Sequence, residues 1–94
     1  MAQWKSREHL EDHFRRHGAT VHARDLAAYA RMADETVARG VRFTYRRTNQ
    51  PRVGYYDARL GRFVVTDAVT HEILSLSRKN ERYVRQLGGS TYGR

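Results

Sequence analysis

The spacing of apolar residues changes once along this chain, at Gly40, and the change limits the folds that the chain can adopt. Residues 26–37 carry an apolar side chain every three or four positions, which favours an amphipathic helix. Immediately after Gly40, the segment VRFTYRR alternates apolar and polar residues, the pattern of a half-buried strand. Further short strand-like segments follow, so the sequence predicts an α+β fold.

Capping residues predict where the helices begin and end. A first helix starts after Ser6 and stops at Gly18, a second has Asp25 as its N-cap and stops at Gly40, and a short closing helix starts at Asn80. Four strands are predicted in VRFTYRR, VGYYD, RFVVTD and HEILSLS, with turns at TNQP and DARLG. We therefore expect one domain over residues 1–94, with two N-terminal helices packed on a four-stranded antiparallel meander, a short C-terminal helix and a flexible tail at 88–94.

The chain carries a large positive charge on a small body. Its 94 residues include 18 Lys and Arg against 10 Asp and Glu, a net charge of +8. A G+C-rich genome would by itself enrich arginine, but the net charge indicates a polyanionic partner. The chain has no cysteine, which excludes disulfides and thiolate metal sites. No apolar run reaches the roughly 18 residues of a membrane span, so we expect no membrane partner.

Three histidines, His9, His13 and His17, are spaced four residues apart and form one stripe on the first helix. This stripe has three interpretations. Imidazoles at this spacing can share a metal ion, but the zincin pattern needs Glu directly after the first His, where Leu10 stands, and no further cluster supplies a third ligand. We therefore expect no metal and no cofactor. Surface histidines on a solvated helix are the second interpretation, which suits His9. A phosphate site is the third, and the RRHG segment favours it for His17.

A phosphate site of this composition can cleave RNA without a protein nucleophile, because the ribose 2′-hydroxyl attacks the adjacent phosphorus. The protein must take a proton from that hydroxyl, and a histidine suits this task because its pKa lies near working pH. It must also stabilise the charge on the phosphorane, which suits arginines and hydroxyl groups. DNA has no 2′-hydroxyl, so such a site would select RNA.

The motifs HFRRHG, YARMA, YYD, FVV, ILSLS and YVRQ, in this order, resemble the colicin D-like branch of the barnase, EndoU, colicin and RelE superfamily of small ribonuclease toxins. The resemblance covers residues 13–86. It implies a metal-independent bacterial endoribonuclease toxin, with tRNA as the expected substrate and a 2′,3′-cyclic phosphate and a 5′-hydroxyl as products. Two departures stand out: arginine replaces the lysine usual near the family's histidine, and Ser77 replaces an aromatic residue, which leaves base stacking unassigned.

The resemblance also implies roles for individual residues. His17 matches the family's catalytic histidine with Arg16 as the basic residue beside it, Ser75 matches a Thr or Ser that faces the cleft, and Tyr83 would close the site. We expect His17 to act as general base and Ser75 to orient the scissile phosphate. Arg16, with Arg46 as a further candidate, would stabilise the phosphorane. Strand alternation independently places Ser75 and Ser77 on one face, opposite Leu74 and Leu76. His13 is left open as a second catalytic acid, a positioner of His17 or helix surface.

Further residues are candidates for substrate binding: Arg15, Arg42, Arg46, Arg47, Tyr56, Ser77 and Tyr83. Arg42 and Arg46 share the polar face of the first strand, which could equally be a solvated face. Arg47 begins a turn. Tyr55 and Tyr56 are consecutive, so we expect one to enter the core and the other to be free to stack a base.

The toxin interpretation predicts two partners, the RNA and an acidic immunity protein that covers the active site. Action is expected in the bacterial cytoplasm, after delivery by a secretion system or a larger carrier protein. The alternative function is a non-catalytic RNA- or DNA-binding module, for which the net charge of +8 would suffice. A third is an interaction domain of a larger phage or secreted protein.

Overall fold

A computed structural model of the chain describes residues 3–93, which contain three α-helices: α1 at Arg7–His17, α2 at Leu26–Arg39 and α3 at Glu81–Gly88. The predicted N-caps are confirmed, since the side chains of Ser6, Asp25 and Asn80 each accept a hydrogen bond from a backbone N–H in the first turn. These side chains satisfy donors that a helix start otherwise leaves without partners.

Four strands form one antiparallel sheet in sequence order: β1 at Val41–Arg47, β2 at Gln50–Asp57, β3 at Arg62–Asp67 and β4 at Ile73–Arg78. The predicted α+β layout with a meander sheet is confirmed. The first hairpin is tighter than the predicted four-residue turn, because Arg47 pairs with Gln50 across Thr48 and Asn49 alone. Both turn residues have positive φ, 51° and 63°, as a two-residue hairpin that matches strand twist requires.

The two faces of the sheet carry separate hydrophobic clusters. Against α1 and α2, the buried cluster includes Tyr29 and Ala33 of α2 packed on Val64 and Leu76 of the sheet. The Tyr29 hydroxyl also donates to the Leu76 carbonyl oxygen. On the opposite face, α3 covers only part of the sheet, through a cluster of Phe43, Tyr56, Phe63 and Val84. The remainder of that face is left for the cleft described below.

A β-bulge changes the predicted alternation of the fourth strand. Val65 pairs with Ser75 and Thr66 pairs with Ile73, so Leu74 is an extra residue between them. Ile73 is therefore buried in the same cluster as Leu76, while Leu74 lies beside Ser75 in the cleft lining. The prediction that Leu74 and Leu76 share a face was wrong, because alternation holds only where the ladder has no bulge.

The C-terminal segment, predicted as a flexible tail at 88–94, packs on the sheet over residues 88–92. Gly88 ends α3, Gly89–Thr91 form a 3-10 turn, and the Thr91 hydroxyl donates to the Thr44 carbonyl oxygen at 2.6 Å. The Tyr92 ring packs edge-on against Phe43, with 5.3 Å between ring centroids. Arg94 lies outside the described residues. Gly88 allows this close approach to β1, because a Cβ at this position would lie 2.8 Å from a ring atom of Phe43.

Candidate functional site

A cleft of about 430 Å³ lies between α1 and the sheet face that α2 does not cover, and we call it the histidine cleft. It is lined by Lys5, His9, His13, Arg16, His17, Tyr45, Arg47, Arg52, Phe63, Val65, Leu74, Ser75, Ser77, Lys79 and Tyr83. None of these lining residues is Asp or Glu, although Lys and Arg are well represented. The cleft therefore presents a positive electrostatic surface to a ligand.

Helix α1 lies along the edge strand β4, and this brings the histidine stripe to the cleft. Adjacent ring centroids are 4.4 Å apart for His9 and His13 and 5.6 Å apart for His13 and His17. His9 Nε2 lies 2.6 Å from the Leu74 carbonyl oxygen, and because a carbonyl only accepts, this nitrogen donates. His9 thus fastens α1 to β4, a role that the surface interpretation of this residue did not include.

His13 is held neutral. Its Nε2 lies 3.1 Å from Arg16 Nη2, and since a guanidinium only donates, Nε2 must be unprotonated. Burial, followed by electrostatic interaction with His9, Arg16 and His17, lowers the pKa of His13 from 6.5 to about 4. Its Nδ1 is buried and has no hydrogen-bond partner within residues 3–93. At neutral pH this residue orients Arg16 and has no proton-donating group aimed at the open cleft.

His17 occupies the last position of α1, where its ring is half-buried. Burial, together with the charges of Arg16 and Lys79, lowers the pKa of His17 below 6.5, while Asp12 opposes the shift. No described residue hydrogen-bonds its ring, although the backbone carbonyl accepts from Thr20 at 2.7 Å. His17 is therefore an imidazole that is neutral at pH 7 and free to accept a proton.

Arg16 has its guanidinium directed by two neighbours on the same helix. Its Nη2 lies 2.9 Å from an Asp12 carboxylate oxygen and also contacts His13. Asp12 is shared with Arg15, whose Nη2 is 3.6 Å away. The pairing leaves Arg16 over half exposed, so it can still contact a phosphate. Arg15 points away from the lining and is exposed.

The sheet side of the cleft provides hydroxyl groups and cations. Ser75 and Ser77 both line it, and neither hydroxyl has a protein partner among the residues that the structure describes. Lys79 and Arg47 also line it and form no ion pair within residues 3–93, whereas Arg52 is paired with Asp67 at 3.7 Å. Free hydroxyl and cationic groups therefore face the histidine stripe across the cleft.

Aromatic side chains close the cleft at the end near α3. The Tyr83 ring meets Phe63 edge-on with 6.3 Å between centroids, and Lys79 Nζ lies 4.8 Å from the centre of the Tyr83 ring. Tyr83 is 38% exposed, so part of its face is open to a base. Burial raises the pKa of Tyr45, which also lines the cleft, to about 12, so its hydroxyl stays protonated and can donate a hydrogen bond.

The structure brings seven of the predicted site residues into the cleft: His13, Arg16, His17, Arg47, Ser75, Ser77 and Tyr83. It leaves four outside it. Arg15 is turned to solvent, while Arg42 and Arg46 alternate with the cleft-facing residues of β1 and so project to the other side. Arg46 donates instead to the Asn49 carbonyl oxygen at 2.7 Å. Tyr56 is 3% exposed within the core beneath α3, which removes it as a stacking surface.

Other lining residues were not predicted: Lys5, His9, Tyr45, Arg52, Phe63 and Lys79. Tyr45 alternates with Phe43 on the apolar face of β1, and its ring packs at the edge of the cluster around Phe43 while also lining the cleft. Lys79 directly follows β4 and continues the alternation of Ser75 and Ser77, so the sequence pattern could have predicted that it faces the same side. Lys5 had no local signal, since pairing of residues 3–5 with Ile73 places it.

No group of three or more His, Cys, Asp or Glu within residues 3–93 is arranged to hold a metal ion. Within the same range, the helices are too short or too polar to cross a bilayer.

In comparisons with known proteins, no family model matched this chain, and neither a curated protein nor a solved structure matched it.

Proposed function

We propose that this protein is a metal-independent endoribonuclease that cleaves RNA by attack of a ribose 2′-hydroxyl on the adjacent phosphorus. One observation carries the proposal: the half-buried ring of His17 has no hydrogen bond to any described residue and lies beside Arg16, in a cleft with no carboxylate among its described lining residues. A general base next to phosphate-binding groups is the minimum that this reaction needs.

The chemical step follows from these positions. His17 takes the proton of the 2′-hydroxyl as the 2′-oxygen forms its bond to phosphorus. The bond from phosphorus to the 5′-oxygen then breaks, and that oxygen takes a proton from solvent water. The products are a 2′,3′-cyclic phosphate and a 5′-hydroxyl. DNA has no 2′-hydroxyl and would bind without being cut.

Phosphate binding is assigned to groups on both walls. Arg16 and Lys79 stabilise the negative charge that builds up on the phosphorane, and the Ser75 hydroxyl donates to a phosphate oxygen. Tyr83 offers an exposed ring face to a base beside the cleavage site. His13, whose acceptor nitrogen is occupied by Arg16, acts as a positioning residue in this scheme rather than as the second acid.

The decisive experiment is incubation with total bacterial RNA in excess EDTA, followed by mapping of the new ends. We expect cyclic phosphate and 5′-hydroxyl ends, and tRNA as the favoured substrate. His17→Ala should reduce the cleavage rate by roughly 10²–10⁴-fold with RNA affinity nearly unchanged, because base catalysis acts in the transition state. His22→Asn is the control, since His22 is exposed and has a φ of 62° that asparagine tolerates.

Three results would contradict the proposal. A wild-type cleavage rate in His17→Ala would show that His17 is not the general base. Activity lost in EDTA and restored by zinc would instead support a metal site at His9, His13 and His17. RNA that stays intact while binding tightly would favour the second candidate, a non-catalytic RNA- or DNA-binding module, which the acid-free cationic cleft also supports.

The toxin proposal includes an inhibitor and a place of action. We expect an acidic immunity protein that covers the His17 side of the cleft with Asp and Glu in place of phosphates, and action in the bacterial cytoplasm. Opposite charge would speed association at low salt, so the on-rate should fall steeply as ionic strength rises. Surface plasmon resonance across a salt series measures this, and a salt-independent on-rate or binding that leaves cleavage intact would contradict it.

A further inference from the structure

A second cleft of about 540 Å³ adjoins the histidine cleft, and we call it the turn cleft. It is formed by residues 58–61, in the turn between β2 and β3, and by residues 78–81, which lead into α3. Lys79 lines both clefts. A polymer bound beside His17 that continues past Lys79 therefore enters the turn cleft.

The turn cleft presents arginines that have no protein partner. Arg59 and Arg78 are exposed, and their guanidinium groups form no ion pair or hydrogen bond within residues 3–93. Nearby carboxylates are already engaged: Glu81 accepts two hydrogen bonds from Arg85, at 2.6 and 3.0 Å, and Asp57 accepts from two backbone N–H groups of the turn. The turn cleft therefore presents arginines that can bind an anion, while its neighbouring carboxylates are already hydrogen-bonded.

The walls of this cleft are fixed to each other. The Lys79 backbone N–H donates to the Gly61 carbonyl oxygen at 3.0 Å, and the buried Tyr56 donates its hydroxyl to the Lys79 carbonyl oxygen at 2.8 Å. The Arg78 side chain lies along Gly61, which has no side chain to displace it. Leu60, 44% exposed, adds an apolar surface in the same turn. A ligand therefore meets a preformed site.

We infer that the turn cleft binds phosphates of the RNA strand that flanks the cleavage site. The inference rests on the proposed function and extends it to the substrate beyond the scissile bond. Cations line both clefts, with Arg16 and Lys79 in the first and Lys79, Arg78 and Arg59 in the second, and a single strand supplies a phosphate at every nucleotide. The substrate is thus a strand with several unpaired nucleotides on one side of the cut.

The test compares two charge-matched double variants. Arg59→Gln with Arg78→Gln removes the free charges of the turn cleft, and Arg31→Gln with Arg39→Gln removes two exposed charges from α2, on the opposite side of the sheet. Affinity is measured by fluorescence anisotropy for a fully 2′-deoxy strand of about 12 nucleotides, within the roughly 4–16 that one OB fold covers, and for a 2′-deoxy dinucleotide. Because neither ligand can be cleaved, binding is read separately from catalysis.

We expect the turn-cleft variant to weaken binding of the long strand roughly tenfold more than binding of the dinucleotide, and to reduce the salt slope of binding by about 1.4, two contacts at 0.7 each. The α2 variant should bind both ligands as the wild type does. The inference would be overturned if both variants lost the same affinity, or if the turn-cleft variant lost the same affinity for the long strand and for the dinucleotide. It would also be overturned if this variant weakened only the binding of an acidic protein. If the wild type cut no RNA but the length comparison held, the proposed function would fail and the turn cleft would stand.

Discussion

Acidification should remove a contribution of His13 to stability, and its size follows from the pKa of this residue. Burial and neighbouring charges lower that pKa from 6.5 in the unfolded chain to about 4 in the folded protein. Between these values the unfolded state binds more protons, so the contribution is present above about pH 6.5 and is lost as pH falls toward about 4. From pH 7 to pH 5, a fully desolvated ring would lose about 2 kcal/mol, at 1.36 kcal/mol per pKa unit. Because solvent reaches part of the ring, we expect about 1 kcal/mol.

The assay is urea unfolding at the two pH values for the wild type, His13→Gln and His22→Asn. Glutamine does not titrate and still offers an acceptor to Arg16, so His13→Gln should lose about 1 kcal/mol less over this interval than the other two proteins. Any contribution of His17 to the pH dependence of stability is common to all three proteins. An NMR titration of the His13 ring should give a midpoint near 4. Equal losses in all three proteins, or a midpoint at the ordinary value, would refute the assignment of a buried neutral His13.

Two further predictions concern the base and the core. Asp12→Asn removes a charge that raises the pKa of His17, so the acidic limb of the pH profile of kcat/KM should move to lower pH. The control is Glu11→Gln, an equal charge change on the same helix, which should leave that limb in place. Equal shifts in the two variants would contradict the electrostatic assignment. Gly54→Ala would place a Cβ 2.5 Å from Phe43 Cζ, so unfolding measurements should show a loss of about 1–3 kcal/mol, and an unchanged midpoint would show that the ring can move aside.

Much of the fold could be predicted because its signals are local. Ser6, Asp25 and Asn80 cap helices through hydrogen bonds to residues within the next turn, and the strand pattern that begins at Val41 needs no distant partner to be recognised. Gly18 shows the limit of this reasoning. It was predicted as the end of α1, and α1 ends there, but its backbone is right-handed helical, and a Cβ would lie 2.6 Å from Phe14 atoms.

The candidate site was predictable only in part, because local patterns show the chemistry of its residues but not which of them face the cleft. His17, Arg16 and Ser75 carry chemistry that sequence can show, and they do line one cleft. Whether Arg46 or Arg47 faces that cleft depends on the phase of β1, which the pairing with β2 decides.

The sequence by itself determined the charge, the order of helices and strands, and a histidine stripe next to arginines on α1. The tertiary structure decided where that stripe points. The bulge at Leu74, the hydrogen bond from His9 to its carbonyl oxygen and the pairing of residues 3–5 with Ile73 bring α1 alongside β4. The last two contacts join residues 65 or more positions apart, so no local pattern encodes them. Through them Lys79 comes to lie near His17, and a helix surface becomes one wall of a cleft.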